Sequence, residues 1–246
     1  MTEKAVEELK AFVETNVFSD DPNSFLILYG GSIYKKLSES DLDFAVVTTD
    51  YTEEICIKLE AFVIQLHKKY DLRIDTEVPF RNKLVYSKKE IDYALGLRCF
   101  IKKGDRYEVP AIEKTKEFLA SENVKARLIV NALTTPHEFW GNAKEGAAAE
   151  IRASLAITVL ALGLSDRPTF STSELRGVLE SSKRGEDGED YLGYKTQYTI
   201  VNDYLDGSLG LGLSVLHDGG YLESEDRAHW RRHEDYVAKN ALEMKV

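Results

Sequence analysis

Apolar residues recur along the chain with two different periods. Val6, Leu9, Phe12, Val13 and Val17 stand at helical spacing and predict an opening amphipathic helix. Phe25 to Tyr29 is an unbroken apolar run of strand length, stopped by Gly30-Gly31-Ser32, and a short helix is expected to follow through about Leu37. Leu42-Asp43-Phe44-Ala45-Val46-Val47 reads as the next strand, rich in β-formers. Ile55, Leu59, Phe62, Val63, Leu66 and Tyr70 share one face of a helix expected over 51–70, with Asp50 and Glu53 spaced as a capping box. Leu72 to Val78 alternates as a strand and ends at Pro79, and Ser87 with Glu90 marks another helix start towards Leu97.

Beyond Pro110 the pattern turns mostly helical. Ile112 to Leu133 and Phe139 to Leu164 carry the helical period on either side of Thr134-Thr135-Pro136, with Gly141 and Gly146 interrupting the second stretch. Ser165 to Phe170 reads as a loop, Ser171 with Glu174 as a helix start, Lys183 to Gly188 as a charged loop, and Gly207-Ser-Leu-Gly-Leu-Gly212 as a glycine-rich loop. The expected architecture is an α/β (α+β) domain with a small mixed sheet over 1–108, then a mainly helical domain over 109–246.

Composition narrows the class. Of 246 residues, 43% are hydrophobic and 30% charged, which suits a globular protein with a real core. Against 42 acidic residues stand 32 basic ones, a net charge of −10, so no broad basic face is expected for duplex DNA. The only two cysteines, Cys56 and Cys99, exclude a disulfide framework and are expected to pack. The longest strongly apolar stretch, Leu155 to Leu164, is too short to span a bilayer, and Met1-Thr2-Glu3-Lys4 opens no secretory leader. A cytoplasmic protein without a membrane partner is expected.

Chemistry concentrates in two neighbouring segments. After the Phe25–Tyr29 strand, the Gly30-Gly31-Ser32 turn offers backbone N–H groups and a hydroxyl to phosphate oxygens, with glycine permitting close approach. The next strand opens with Asp41 and Asp43, two positions that face one side. Carboxylates so close repel unless a cation lies between them, and hard oxygen ligands favour Mg²⁺. Asp75 brings a third carboxylate if its strand pairs beside Leu42–Val47, and Glu77 on the same face is its rival. Phosphate-binding turn, paired carboxylates and a third carboxylate, in that order, suit metal-assisted phosphoryl chemistry.

Gly-Gly-Ser, then Asp-x-Asp flanked by apolar residues, then a strand carboxylate resembles the nucleotidyltransferase superfamily typified by DNA polymerase β, over roughly residues 25–80. The resemblance implies transfer of NMP from a nucleoside triphosphate to an acceptor hydroxyl, with release of pyrophosphate. Gly31 and Ser32, with Gly30 in the same turn, would hold the β,γ-phosphates. Asp41 and Asp43 would hold two Mg²⁺ ions, and Asp75 would ligate the catalytic metal and help deprotonate the acceptor. Members often carry an arginine soon after the serine, whereas this chain has Tyr34-Lys35-Lys36, and lysine lacks the bidentate fork of arginine.

The expected acceptor is a small hydroxylated molecule of the antibiotic type. The alternatives are a toxin-type or regulatory member that modifies RNA or a protein, and a catalytically idle nucleotide-binding module. Arg81 to Lys103 bears on this choice, with seven basic residues against Glu90 and Asp92 in an otherwise acidic chain. It can offset triphosphate charge or guide an anionic acceptor, or simply form a solvated helix face. His229 and His233 stand four apart in an expected helix, where Arg227, Arg231 and Arg232 mark an exposed basic face rather than a metal site. Tyr29, Tyr34 and Tyr86 are candidates to stack on a base or to pack.

Overall fold

The computed structural model describes residues 2–34, 42–50, 52–72, 85–89, 91, 101–103, 106–109, 129, 132–165, 167–181, 183–184, 189–190, 199–233 and 242–245. Its elements combine helices with small sheets, a mixed α/β architecture. The chain divides into two compact units, Met1–Ile91 with Thr135–Ala149, and Asp92–Thr134 with Glu150–Val246. The boundary drawn from sequence at 108 lies inside the second unit, and the first unit takes in a segment from far downstream.

In the first unit, β1 (Phe25–Tyr29) and β2 (Phe44–Thr48) run antiparallel, with Leu28 opposite Phe44 and Phe25 opposite Val47. β3 (Val85–Ser87) lies parallel to β2 on its far side. The other edge of β1 is covered by a strand that overlaps the start of the Phe139–Leu164 stretch expected to be helical, β6 (His137–Gly141), antiparallel with Tyr29 opposite His137. The four-stranded order is therefore β3-β2-β1-β6.

Strand periodicity sorts the side chains onto two faces. Leu26, Leu28, Phe44, Val46 and Val85 belong to a core shared with α1 (Thr2–Val13) and α3 (Glu53–Tyr70). α1 contributes Ala5, Val6, Leu9 and Val13, and a π-helical turn, Glu14–Phe18, extends it to bury Val17. α3 contributes Cys56, Leu59, Val63 and Leu66, so Cys56 packs as expected. Each fully buried large aliphatic or Phe side chain here is worth about 1.5–3 kcal/mol. Phe12 and Phe62 stack at 4.0 Å, and Lys69 joins α3 to Glu8 of α1 at 2.6 Å.

The start of α3 corrects the expected cap. Thr52, not Asp50, is the N-cap, its hydroxyl accepting from the Ile55 amide at 3.3 Å. Asp21 pins the exit of β2 instead, accepting from the Thr49 amide at 2.6 Å and its hydroxyl at 2.9 Å. Burial pushes the Asp21 pKa up, but these hydrogen bonds and one from the Asn23 amide outweigh it and hold the carboxyl below its usual range.

β6 ends where it must. Gly141 has φ +98°, and a Cβ there would fall 2.8 Å from the Phe18 ring and 2.9 Å from the Ser24 carbonyl oxygen. α4 (Ala143–Leu164) follows at once and lays Gly146 against the Phe139 ring.

In the second unit, α5 (Thr172–Ser181) opens with the expected capping box: Ser171 Oγ accepts from the Glu174 amide at 3.2 Å, and Glu174 accepts from the Ser171 amide at 2.8 Å. Two readings are corrected here. Gly207 to Gly212 lies within α6 (Thr199–Asp218) rather than a loop, because Gly212 lets the helix approach the Ser154–Thr158 turn of α4. His229 stands in a strand rather than a helix, since β11 (His229–Arg232) pairs with β7 (Thr169–Ser171) on one side and β10 (Leu222–Glu223) on the other. Trp230 is buried in that sheet opposite Phe170. Arg232 donates to the Leu162 carbonyl at 2.6 Å and the Ser165 carbonyl at 2.5 Å, satisfying orphan acceptors at the end of α4. β4 (Ile101–Lys103), β5 (Arg106–Val109) and β12 (Leu242–Lys245) form an antiparallel sheet, and β8 (Lys183–Arg184) pairs with β9 (Glu189–Asp190).

Candidate functional site

The glycine–serine turn and one aspartate meet at a single end of the first sheet. β1 delivers the chain to Gly30 beside the entrance of β2, where the Tyr29 amide donates to the Asp43 carbonyl at 3.2 Å. Gly30 takes φ +51°, a left-handed conformation, and the Ile33 amide closes the turn onto its carbonyl at 3.1 Å. A Cβ at Gly30 would fall 2.5 Å from Asp43 Oδ2 and 3.0 Å from its Cγ, so only glycine leaves room for the carboxylate. The half-buried Asp43 side chain therefore lies directly against the turn.

Ser32 follows in α2 (Gly31–Tyr34). Its Oγ is buried and has no hydrogen-bond partner among the described residues. A hydroxyl kept from water and left without a protein partner costs about 1–3 kcal/mol unless a ligand or water satisfies it. Among the described residues no group meets that need, so the turn that brings Gly30 against Asp43 also carries a buried hydroxyl open to a partner.

β6 adds a residue that sequence reading missed. The pairing of Tyr29 with Asp43 on one side and with His137 on the other puts all three in one row on the sheet face opposite α1 and α3. His137 Nδ1 lies 2.8 Å from the Thr135 carbonyl oxygen, and its ring meets Phe139 edge-on at 4.7 Å. The available signal was five residues with two aromatics, bounded by Pro136 and Gly141, the punctuation of a short strand.

The remaining sequence candidates divide plainly. Asp41 and Asp75, with Glu77, Lys35 and Lys36, lie outside the described residues. Within the described residues, β3 is the parallel neighbour of β2, paired in register with Val46–Thr48. No group of three or more His, Cys, Asp or Glu that could hold a metal occurs among the described residues. Tyr86 is fully buried within β3 and Tyr29 nearly so, which makes both packing residues. From the basic stretch, Lys88 is tied to Glu145 at 3.1 Å, while Arg81, Lys83 and Arg98 lie outside the described residues. His229 is exposed and bonded to Asp226 at 2.8 Å, a contact that raises the imidazole pKa and holds the carboxyl far below its usual range.

Among the described residues, no helix is long and apolar enough to cross a membrane. Compared with family models, curated proteins and solved structures, the chain finds no match.

Proposed function

We propose that this chain is an Mg²⁺-dependent nucleotidyltransferase of the polymerase β-like superfamily. It would transfer NMP from a nucleoside triphosphate to a hydroxyl of a small acceptor in the cytoplasm and release pyrophosphate. The observation that carries this reading is the Gly30–Ser32 turn held against the Asp43 carboxylate at one end of the sheet. The Ser32 hydroxyl, unsatisfied among the described residues, supports it, because that group fits a phosphate oxygen.

In this reading Gly31 and Ser32 bind the β,γ-phosphates and orient the triphosphate. Asp43 and Asp41 supply hard oxygen ligands for two Mg²⁺ ions, and Asp75 completes the set. When bound, Mg²⁺ neutralises triphosphate charge and polarises the phosphoryl group under attack. The missing side chain at Gly30 leaves room for the Asp43 carboxylate against the turn.

Incubation with α-labelled NTPs, Mg²⁺ and candidate acceptors tests the reading. Label transfer is expected in the parent protein and its loss by a factor of at least about 10³ in Asp43→Ala, with an unchanged circular dichroism spectrum. Full activity in that variant overturns the metal site. Nucleotide binding without transfer to any acceptor identifies the idle module instead.

A further inference from the structure

We propose that the outer edge of β6 is a self-association surface, where the β6 strands of two copies of this chain pair antiparallel about a twofold axis at Phe139. The backbone carries the first part of the argument. The Asn142 amide donates to the Ser24 carbonyl at 3.1 Å, continuing the register that sets Trp140 opposite Leu26 and Glu138 opposite Leu28. Bonded and non-bonded rows alternate in an antiparallel pair, so Trp140 and Glu138 direct their backbone groups to β1. The N–H and C=O of Phe139 and Gly141 point the other way, to the edge of the sheet, and have no partner among the described residues. Natural edges are commonly blunted by a lysine, a proline or a bulge. β6 contains neither residue, and its register on β1 is unbroken.

The side chains choose the occupant, since an open edge accepts any strand through its backbone and takes its preference from the side chains. Trp140 is 41% exposed on the sheet face that packs against α1, and Lys10 of α1 lies 5.0 Å from the centre of its ring. Glu7, one turn earlier in α1, holds Lys10 at 3.1 Å. Glu138 is exposed on the same face as Trp140, two residues before it in the strand. In a pair centred on Phe139, the two Phe139 residues exchange both backbone bonds, and Glu138 of each copy stands opposite Trp140 of the other. Each carboxylate then meets the ammonium group above that ring, and the twofold axis makes the contact twice. Neighbouring registers lack this match. Moving the axis to Glu138 sets the two carboxylates against each other, and moving it to Trp140 brings the two Lys10 residues together. The strand is thus complementary to itself in one register, and in the dimer the two four-stranded sheets become one.

Sedimentation velocity of the full chain from about 1 to 300 µM reads the equilibrium, a range suited to a small interface. The mass is expected to rise towards twice the 27.8 kDa of one chain. Amide hydrogen exchange at Phe139 and Gly141 is expected to slow over the same range, because those groups become paired. Glu138→Lys and Lys10→Glu each bring like charges together, and each alone is expected to weaken the dimer at least about 10-fold with an unchanged circular dichroism spectrum. Mixed in equal amounts, the two variants restore both contacts and are expected to form a heterodimer close to the parent in affinity. A chain that stays monomeric with both amides fast-exchanging overturns the proposal and leaves the edge to a strand of another protein. Amides already slow in the monomer place a segment of the same chain there and overturn it too. A dimer that both variants leave intact, or variants that stay apart when mixed, shows that Glu138 and Lys10 do not meet across the axis and overturns it as well.

Discussion

Gly30 shows how much a missing side chain can decide. Its φ of +51° is one that L-residues adopt at a cost, and the space a Cβ would need is taken by Asp43 Oδ2. Gly30→Ala is therefore expected to lose about 1–3 kcal/mol of stability through backbone strain and to displace the carboxylate. Urea unfolding measures the first effect and Mg²⁺-nucleotide affinity the second, and a variant as stable as the parent would contradict the geometry. Gly30, Ser32 and Asp43 were legible in the sequence because one turn and one strand entrance, close along the chain, bring them together. His137 was not, because its place depends on pairing with a strand far upstream, and no local pattern encodes a partner.

At the scale of elements, strands with long apolar runs and helices with one apolar face announced themselves, as β1 and α3 did. The Ser171–Glu174 capping box was equally plain, since both of its hydrogen bonds are made within four residues. Misread elements share a different cause. Glycines in α6 were taken as breakers, yet a close-packed neighbour can make glycine the fitting residue inside a helix. A Cβ at Gly212 would lie 2.6 Å from the Ser154 carbonyl oxygen, whereas nothing stands within 4 Å of the position it would take at Gly207. Gly212→Ala should then destabilise by about 1–3 kcal/mol through overpacking. Gly207→Ala should stabilise by about 0.4–1 kcal/mol, since it removes helix-opposing freedom at no steric cost. Denaturant midpoints of the two variants decide it, and shifts of the same sign would show that α6 does not pack as described. β11 and β6 were missed because each is a short strand whose burial comes from its neighbours rather than from its own alternation.

On the scale of the whole molecule, the −10 charge weighs against a broad polyanion surface, yet part of it is Asp43, which in the proposed reading draws in a divalent cation and with it an anionic substrate. The division into units also reassigns what a fragment must contain. A chain ending at 108 lacks β6, leaving β1 with an unpaired edge and the Phe25 ring without its edge-on partner Phe139 at 5.9 Å. Such a fragment is expected to aggregate or to unfold without a cooperative transition, as gel filtration and urea titration followed by circular dichroism would report. A soluble monomer with a sharp transition would show that the first unit does not depend on β6. The same pairing carries a consequence for synthesis. Translation adds about 5–20 residues per second, so β1, β2 and α3 leave the ribosome seconds before the strand that completes their sheet. During that interval the growing chain exposes a strand edge beside a half-built site, and it is there that a chaperone would find its hold.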